Sequence, residues 1–268
     1  MSAVKKELKI MKNAEKEFLG EFFHSKKLLK KDEQLDDLER DGLMLIQNKN
    51  GYRFTSDSVL LSDFAKAKTN DVLIDLCSGS GIVAILMQSK NKTKKIFMVE
   101  IQKELSDMAN RSVLYNGLEG ISAICCDLSQ THKILGSEIA DVVTVNPPYY
   151  ENGLTATSDE IAVATHEIKT SLDEICKSAF RLLKFGGKIF MVHLAERLTD
   201  IICSLRANHL EPKRLRVVYP KASKEPNLIL IEAKKGAKSG LKILPPLVLM
   251  NEDGTETDEL KFIYNRKK

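Results

Sequence analysis

Between residues 72 and 233 short apolar runs alternate with segments of helical period, and this alternation constrains the chain more than any other feature. The run 72–76, apolar apart from Asp75, keeps no polar face for water, so it reads as a strand covered on both sides. Similar runs follow at 95–99, 121–125, 141–145 and 188–193. Gly81 opens a helix after the first of them. Leu105, Met108, Ala109 and Val113 line one face of the next helix, which stops at Asn116-Gly117. Ser171 and Glu174 form a capping box ahead of a further amphipathic helix, predicted to end at Gly186-Gly187, and another helix is expected near 195–207. Strand, helix, strand in this order predicts an α/β fold, a mostly parallel sheet with helices on both faces. Two late runs, 215–219 and 228–233, are joined by a loop too short for a helical crossover, so they are expected to pair antiparallel. Upstream, 43–47 and 52–54 flank Asn48-Lys49-Asn50-Gly51, a hairpin signal. No repeat or low-complexity linker divides the chain. The expectation is one domain over residues 32–268, with the hairpin and its following helix included, preceded by a lysine-rich extension over 1–31.

Composition narrows the class. A chain of 268 residues, 43% hydrophobic and 29% charged, can bury a full core and is neither collagen-like, coiled-coil nor wholly disordered. Its five cysteines form no C-x-x-C pair, and His24, His132, His193 and His209 have no partners at metal spacing, so neither a disulfide framework nor a metal is expected. No apolar run approaches the roughly 18 residues of a membrane span, and none near the start suits a signal peptide, so a soluble, cytoplasmic protein without a membrane partner is expected. The net charge of +4 hides a partition. Nine lysines against four glutamates give residues 1–31 a charge of +5, and nine basic against three acidic residues give 211–242 a charge of +6. Either stretch is a solvated face or a phosphate contact.

The candidate chemistry sits at strand ends. The first strand runs into Asp75-Leu-Cys77-Ser-Gly79-Ser-Gly81, with Ala84 completing a G-x-G-x-x-A string. Glycines here let a ligand approach the backbone and aim helix amides at an anion, which suits a dinucleotide pyrophosphate or a methionine-type carboxylate alike. Glu100, at the end of the second strand, can accept both hydroxyls of a ribose, and both ligand types stay open. Asp75 separates them, because its carboxylate repels a pyrophosphate and favours a cationic ligand such as S-adenosylmethionine. Asp127, after the third strand, is placed to accept from an adenine amine while the apolar neighbours Ile101 and Leu128 sandwich the ring. The plainer alternatives are that Asp75 braces the loop and Asp127 caps a turn.

The fourth strand ends in Asn146-Pro147-Pro148-Tyr149-Tyr150. Two prolines stiffen the backbone and remove two donors. A planar amine is a poor nucleophile because its lone pair is delocalised. If the Asn146 side-chain oxygen and the Pro147 carbonyl each accept one amine hydrogen, the nitrogen gains tetrahedral character and its lone pair becomes available. The Tyr149 ring offers a face on which a flipped base can stack, worth roughly 1–3 kcal/mol.

With Asp75-x-x-x-Gly79-x-Gly81, Glu100, Asp127 and Asn146-Pro-Pro-Tyr in order, the chain resembles the S-adenosylmethionine-dependent amino-methyltransferases. Gly42-Leu-Met-Leu-Ile-Gln47, Phe54-Thr-Ser-Asp-Ser-Val-Leu-Leu61, His166-Glu167 and Leu244-Pro-Pro-Leu247 are similar to the bacterial valine-tRNA adenine-37 N6-methyltransferases, over about residues 33–263. That resemblance implies a Rossmann-like class I fold with a seven-stranded, mostly parallel sheet whose last strand is antiparallel. It also implies methylation of an adenine amine in tRNA, the base flipped into the pocket. By the same resemblance, Thr55 to Ser58 lie over the methionine end of the cofactor; on physical grounds Thr55 or Ser56 caps the helix that carries Val59 and Leu60. Residues 1–31 have no counterpart in this pattern, and Tyr150 stands where phenylalanine is as common. His166 follows a glycine-containing loop, 151–165, that could bring it over the substrate. Other readings are methylation of a ribosomal-RNA base or of a release-factor glutamine, which lacks a helical N-terminal domain here, and DNA adenine methylation, for which no base-reading domain is left over. A nicotinamide-dependent oxidoreductase leaves Asp75 and the tetrad unexplained, and a non-catalytic RNA-binding protein leaves the cofactor acids so.

Overall fold

Apolar runs bounded by glycine and helix caps become the strands of one sheet. The computed structural model describes residues 28–50, 56–148 and 171–265. Its central strands are β3 (Val72–Leu76), β4 (Lys95–Glu100), β5 (Ile121–Cys125), β6 (Ala140–Val145), β7 (Leu183–Leu194), β8 (Leu210–Lys221) and β9 (Leu228–Lys235). They stand in the order β5-β4-β3-β6-β7-β9-β8. β9 alone runs against its neighbours, pairing antiparallel with both β7 and β8. This is the expected seven-stranded sheet, with the antiparallel last strand inserted one place from the edge. Two short strands, β10 (Lys242–Ile243) and β11 (Leu247–Met250), extend it in parallel beside β8, so the sheet has nine strands rather than seven.

Helices cover both faces: α1 (Ser56–Phe64), α2 (Ile82–Asn91), α3 (Lys103–Tyr115), α4 (Thr131–Leu135), α5 (Leu172–Leu182), α6 (Leu198–Ala207) and α7 (Asp258–Ile263). Strand alternation divides the core. Leu73, Met98 and Phe190 point to the side of α1, α2 and α3, where they meet Leu60, Ile85 and Val113. Ile74, Leu76, Val143 and Val145 point to the other, where they meet Ile175, Ala179 and Leu205. Each such side chain, fully buried, contributes about 1.5–3 kcal/mol. Asp75, Thr144 and Asn146 occupy the alternate positions on the first side. There, polarity interrupts an otherwise apolar layer.

One expectation is corrected. The Gly186-Gly187 pair does not end a helix: α5 stops at Leu182, and both glycines lie inside β7. β7 starts on Ala140, then bulges before Lys188 pairs with Val142, and Gly186 takes φ +81° in that bulge. The helix end needs no glycine because the Lys235 ammonium donates to the carbonyls of Phe180 (2.9 Å) and Leu183 (2.8 Å). The capping box itself is present, Ser171 accepting from the Glu174 amide.

The N-terminal ribbon contains a strand that the sequence reading did not include. β2 (Met44–Asn48) pairs antiparallel with β1 (Glu33–Asp37), upstream of it, through a turn in which Glu39, Asp41 and Gly42 have positive φ. Its expected partner, 52–54, lies outside the described residues. Contacts to α3 hold this ribbon. Arg111 donates to Glu33 (2.6 Å) and to the Leu28 carbonyl (2.6 Å), the Asn116 amide brackets both backbone groups of Met44, and Ser112 Oγ accepts from the Ile46 amide.

Among the described residues no helix is long and apolar enough to cross a membrane, and no group of three His, Cys, Asp or Glu side chains could hold a metal ion.

Candidate active site

Strand order reverses at β3, with β4 and β5 to one side and β6 and β7 to the other, which opens a crevice at the strands' C-terminal ends. Asp75, Glu100 and Asn146 all stand at that edge, as the sequence predicts. The turn after β3 is shaped by three residues. Cys77 and Gly79 take φ of +56° and +53°, and a Cβ on Gly79 would meet nothing within 4 Å, so a ligand can approach its backbone. Gly81 caps α2 at φ +90°, and a Cβ there would stand 2.7 Å from Met98 Sδ, so close packing of helix on strand requires glycine.

Asp75 is 1% exposed. Its Oδ1 accepts from Thr144 Oγ1 at 2.6 Å, and the two residues are register partners on β3 and β6. Its Oδ2 and the Ser78 hydroxyl are buried without a hydrogen-bond partner. Burial pushes the Asp75 carboxyl up to about 7, assisted by Glu100 and opposed by the Thr144 hydroxyl and the Ala84 amide. Glu100 is anchored: Oε2 accepts from the Gly79 amide (2.9 Å) and Oε1 from the Gln102 amide (3.0 Å). Its pKa too is raised by burial, against those amides. Each oxygen keeps a lone pair for a ligand hydroxyl. The Cys77 thiol is pushed up by burial and by the carboxylates of Glu100, Asp75 and Asp127, which places all three acids around the one turn. The thiol therefore stays protonated and is a poor target for oxidation.

Asp127 is exposed and caps a turn, its Oδ1 accepting from the Ser129 amide at 2.7 Å. The plainer sequence reading is thus observed, with Oδ2 left for a ligand. Ile101 presents an apolar surface, 47% exposed, beside Glu100, and Leu128 is buried. Asn146 Nδ2 donates to Ser58 Oγ at 3.0 Å; Pro147 is buried and Pro148 exposed. Thr55, Tyr149, Tyr150, loop 151–165 and His166 lie outside the described residues. His193, buried in β7, is lowered to about 4 chiefly by burial and stays neutral. Sequence reasoning missed Thr144, although a threonine inside Val-Val-Thr-Val was the signal, and it missed the contact of Gln47 Nε2 with Ser80 Oγ (3.4 Å) that ties β2 to the glycine turn.

These residues fit S-adenosylmethionine. A buried, partnerless carboxylate oxygen suits its cationic methionine end, the open Gly79 backbone admits it, and Glu100 can accept a diol. Three convergent carboxylates disfavour a pyrophosphate. Fold and site together define an S-adenosylmethionine-dependent methyltransferase of the Rossmann-like class. More narrowly, the chain belongs to the methyltransferase small domain family, whose model matches residues 55–201. It is similar to the tRNA1(Val) (adenine(37)-N6)-methyltransferase of Dyadobacter fermentans, 21% identical over 79% of this chain and 88% of that one. The protein of the same name from Photobacterium profundum is 25% identical over 68% and 77%. Among solved structures, a predicted O-methyltransferase from Agrobacterium tumefaciens superposes with a TM-score of 0.66 at 16% identity, over 78% of this chain and 96% of that one. M. jannaschii TYW2 in complex with AdoMet superposes with a TM-score of 0.54 at 15% identity, over 77% and 87%.

Proposed function

We propose that this enzyme methylates the N6 amine of an adenine in tRNA, namely adenine 37 of a valine tRNA. The observation that carries the reading is Asn146 held at the end of β6, in a chain whose relatives bear that activity in their names. The Asn146 side-chain oxygen and the Pro147 carbonyl accept the two hydrogens of the target amine, Pro148 stiffens the arm, and Tyr149 stacks the flipped base. Asp75 attracts the cationic end of the cofactor, Glu100 accepts from its ribose, and Asp127 Oδ2 accepts from its adenine between Ile101 and Leu128. Cys77, Gly79 and Gly81 shape the turn, while Thr55 borders the methionine end. When bound, S-adenosylmethionine supplies an electrophilic methyl group.

Phosphate contacts fall to residues 1–31. Within 211–242, Arg214 pairs with Glu232, Arg216 with Glu259 and Lys235 with Glu138, while Lys213 and Lys221 donate to backbone carbonyls. That run is largely committed to internal partners. The test is nucleoside mass spectrometry of valine tRNA incubated with the enzyme and labelled S-adenosylmethionine. Label in N6-methyladenosine at position 37 is expected, and label at another base, or in a release factor instead, would refute the substrate assignment.

A further inference from the structure

An asparagine amide has two ends of opposite hydrogen-bonding sense, and only the carbonyl end can accept from an amine. Turned over, Asn146 would aim its own N–H groups at the amine hydrogens and repel the substrate. Whatever fixes that turn therefore governs the chemistry, and the prolines do not, since they constrain only the backbone.

We propose that Ser58 is the positioning residue that sets the Asn146 amide, a role distinct from the cofactor contact its sequence resemblance implies. This rests on the reading of Asn146 given above. Asn146 Nδ2 donates to Ser58 Oγ at 3.0 Å across 88 residues of sequence, so the nitrogen end is taken up and the Oδ1 end is turned the other way. Ser58 is 5% exposed, so the hydroxyl end of the bond is shielded while Asn146 is half-buried. Its helix is firmly seated. Val59, Leu60, Leu61 and Phe64 of α1 are buried, and the Phe64 ring stands edge-on to Phe190 of β7 at 6.0 Å between centroids. The hydroxyl thus reaches Asn146 from a rigid element packed on the same side of the sheet, the arrangement that holds a reacting group in place.

The experiment compares Ser58→Ala and Ser58→Thr with the wild-type chain at saturating S-adenosylmethionine and tRNA. Ser58→Ala is expected to lower kcat roughly tenfold to a hundredfold, with KM for tRNA and the affinity for S-adenosylhomocysteine within about twofold of wild type. Ser58→Thr, which keeps Oγ, restores most of kcat. An unchanged kcat in Ser58→Ala, or a loss lying wholly in cofactor affinity, overturns the proposal. If either variant fails to fold, the wild-type chain still decides: the Asn146 side-chain NH2 signal in a nitrogen-15 spectrum, identified by its absence in Asn146→Asp, should be protected from solvent exchange. Exchange as fast as that of an exposed amide overturns the proposal. A wild-type enzyme that labels no tRNA adenine sinks the substrate assignment instead, while the amide signal continues to report on Ser58.

Discussion

Cofactor binding should tighten with rising pH, and Asp75 is the group responsible. Its carboxyl sits beneath the glycine turn with a pKa raised to about 7, chiefly by burial. A cationic ligand favours the ionised form, so binding expels the proton and apparent affinity follows the ionised fraction of the free protein. For a pKa of about 7 that fraction is about one in eleven at pH ~6 and about three in four at pH ~7.5, a ratio of about eight, or roughly 1.3 kcal/mol. The assay is titration calorimetry with S-adenosylmethionine at both pH values, in two buffers of different ionisation enthalpy, so that proton release is read directly. The ligand's own α-amine titrates at roughly 7.7–8.0 and begins to lose its charge in the upper part of this range. Asp75→Asn, measured alongside, carries that ligand effect without the carboxyl, and the difference between the two profiles isolates Asp75. Parallel profiles, or no proton release from the wild-type chain, would refute the reasoning.

The same shift has a consequence for the free protein. A carboxyl whose folded pKa lies above the ordinary 3.8 contributes stability that is complete below 3.8 and is lost as pH rises through about 7. At pH ~8 the buried charge is a burden that S-adenosylmethionine relieves.

Asp75→Asn should therefore melt above the ligand-free wild type at pH ~8 and not at pH ~4, a comparison that calorimetric scans settle by the sign of the difference. Asn146→Ala should abolish turnover while leaving S-adenosylhomocysteine affinity within about threefold, or about 0.7 kcal/mol; an equal loss of both would show that Asn146 serves the cofactor. Gly81→Ala, at φ +90° and with its Cβ 2.7 Å from Met98 Sδ, should cost about 2–4 kcal/mol and lower the melting temperature by several degrees, and an unchanged melting point would show that the strand and helix can part. Deleting residues 1–27 should flatten the salt dependence of tRNA binding, and an unchanged slope would remove the extension from the interface.

The residues most legible in the sequence are those that end apolar strands. β3 and β5 fall on 72–76 and 121–125 as read, and Asp75, Glu100 and Asn146 follow because a polar residue closing such a run faces the crevice by topology alone. What escaped depends on distant contacts. Glu33-Gln-Leu-Asp-Asp37 has one apolar residue and no strand signal of its own; it becomes β1 because Arg111, far along the chain on α3, takes up Glu33. The end of α5 was misplaced because a lysine 53 residues beyond Leu182 caps it, a device that no local pattern announces. Thr144, and the contact of Ser58 with Asn146, escaped for a related reason. Each is an ordinary small polar residue until strand register and helix packing bring it against Asp75 or Asn146.

Charge shows the same dependence on the fold. Summed by sequence, 211–242 outranks 1–31 as an RNA contact. Strand direction reverses that order. β8 runs parallel to β7, so Lys213 and Arg214 lie toward the edge opposite the crevice, and antiparallel β9 carries Lys234 and Lys235 to that same far edge. Lys221 does reach the crevice edge, but there it donates to the Glu252 carbonyl in a loop that also holds Asp253. The described end of the extension, by contrast, packs on α3. Leu28 and Lys30 are tied to Arg111 and Asp107 on the middle turns of α3, the helix that follows β4 and Glu100. The far-edge position of Lys213, Arg214, Lys234 and Lys235 weakens the case for 211–242, and the salt dependence of tRNA binding before and after deletion of residues 1–27 decides between the two runs.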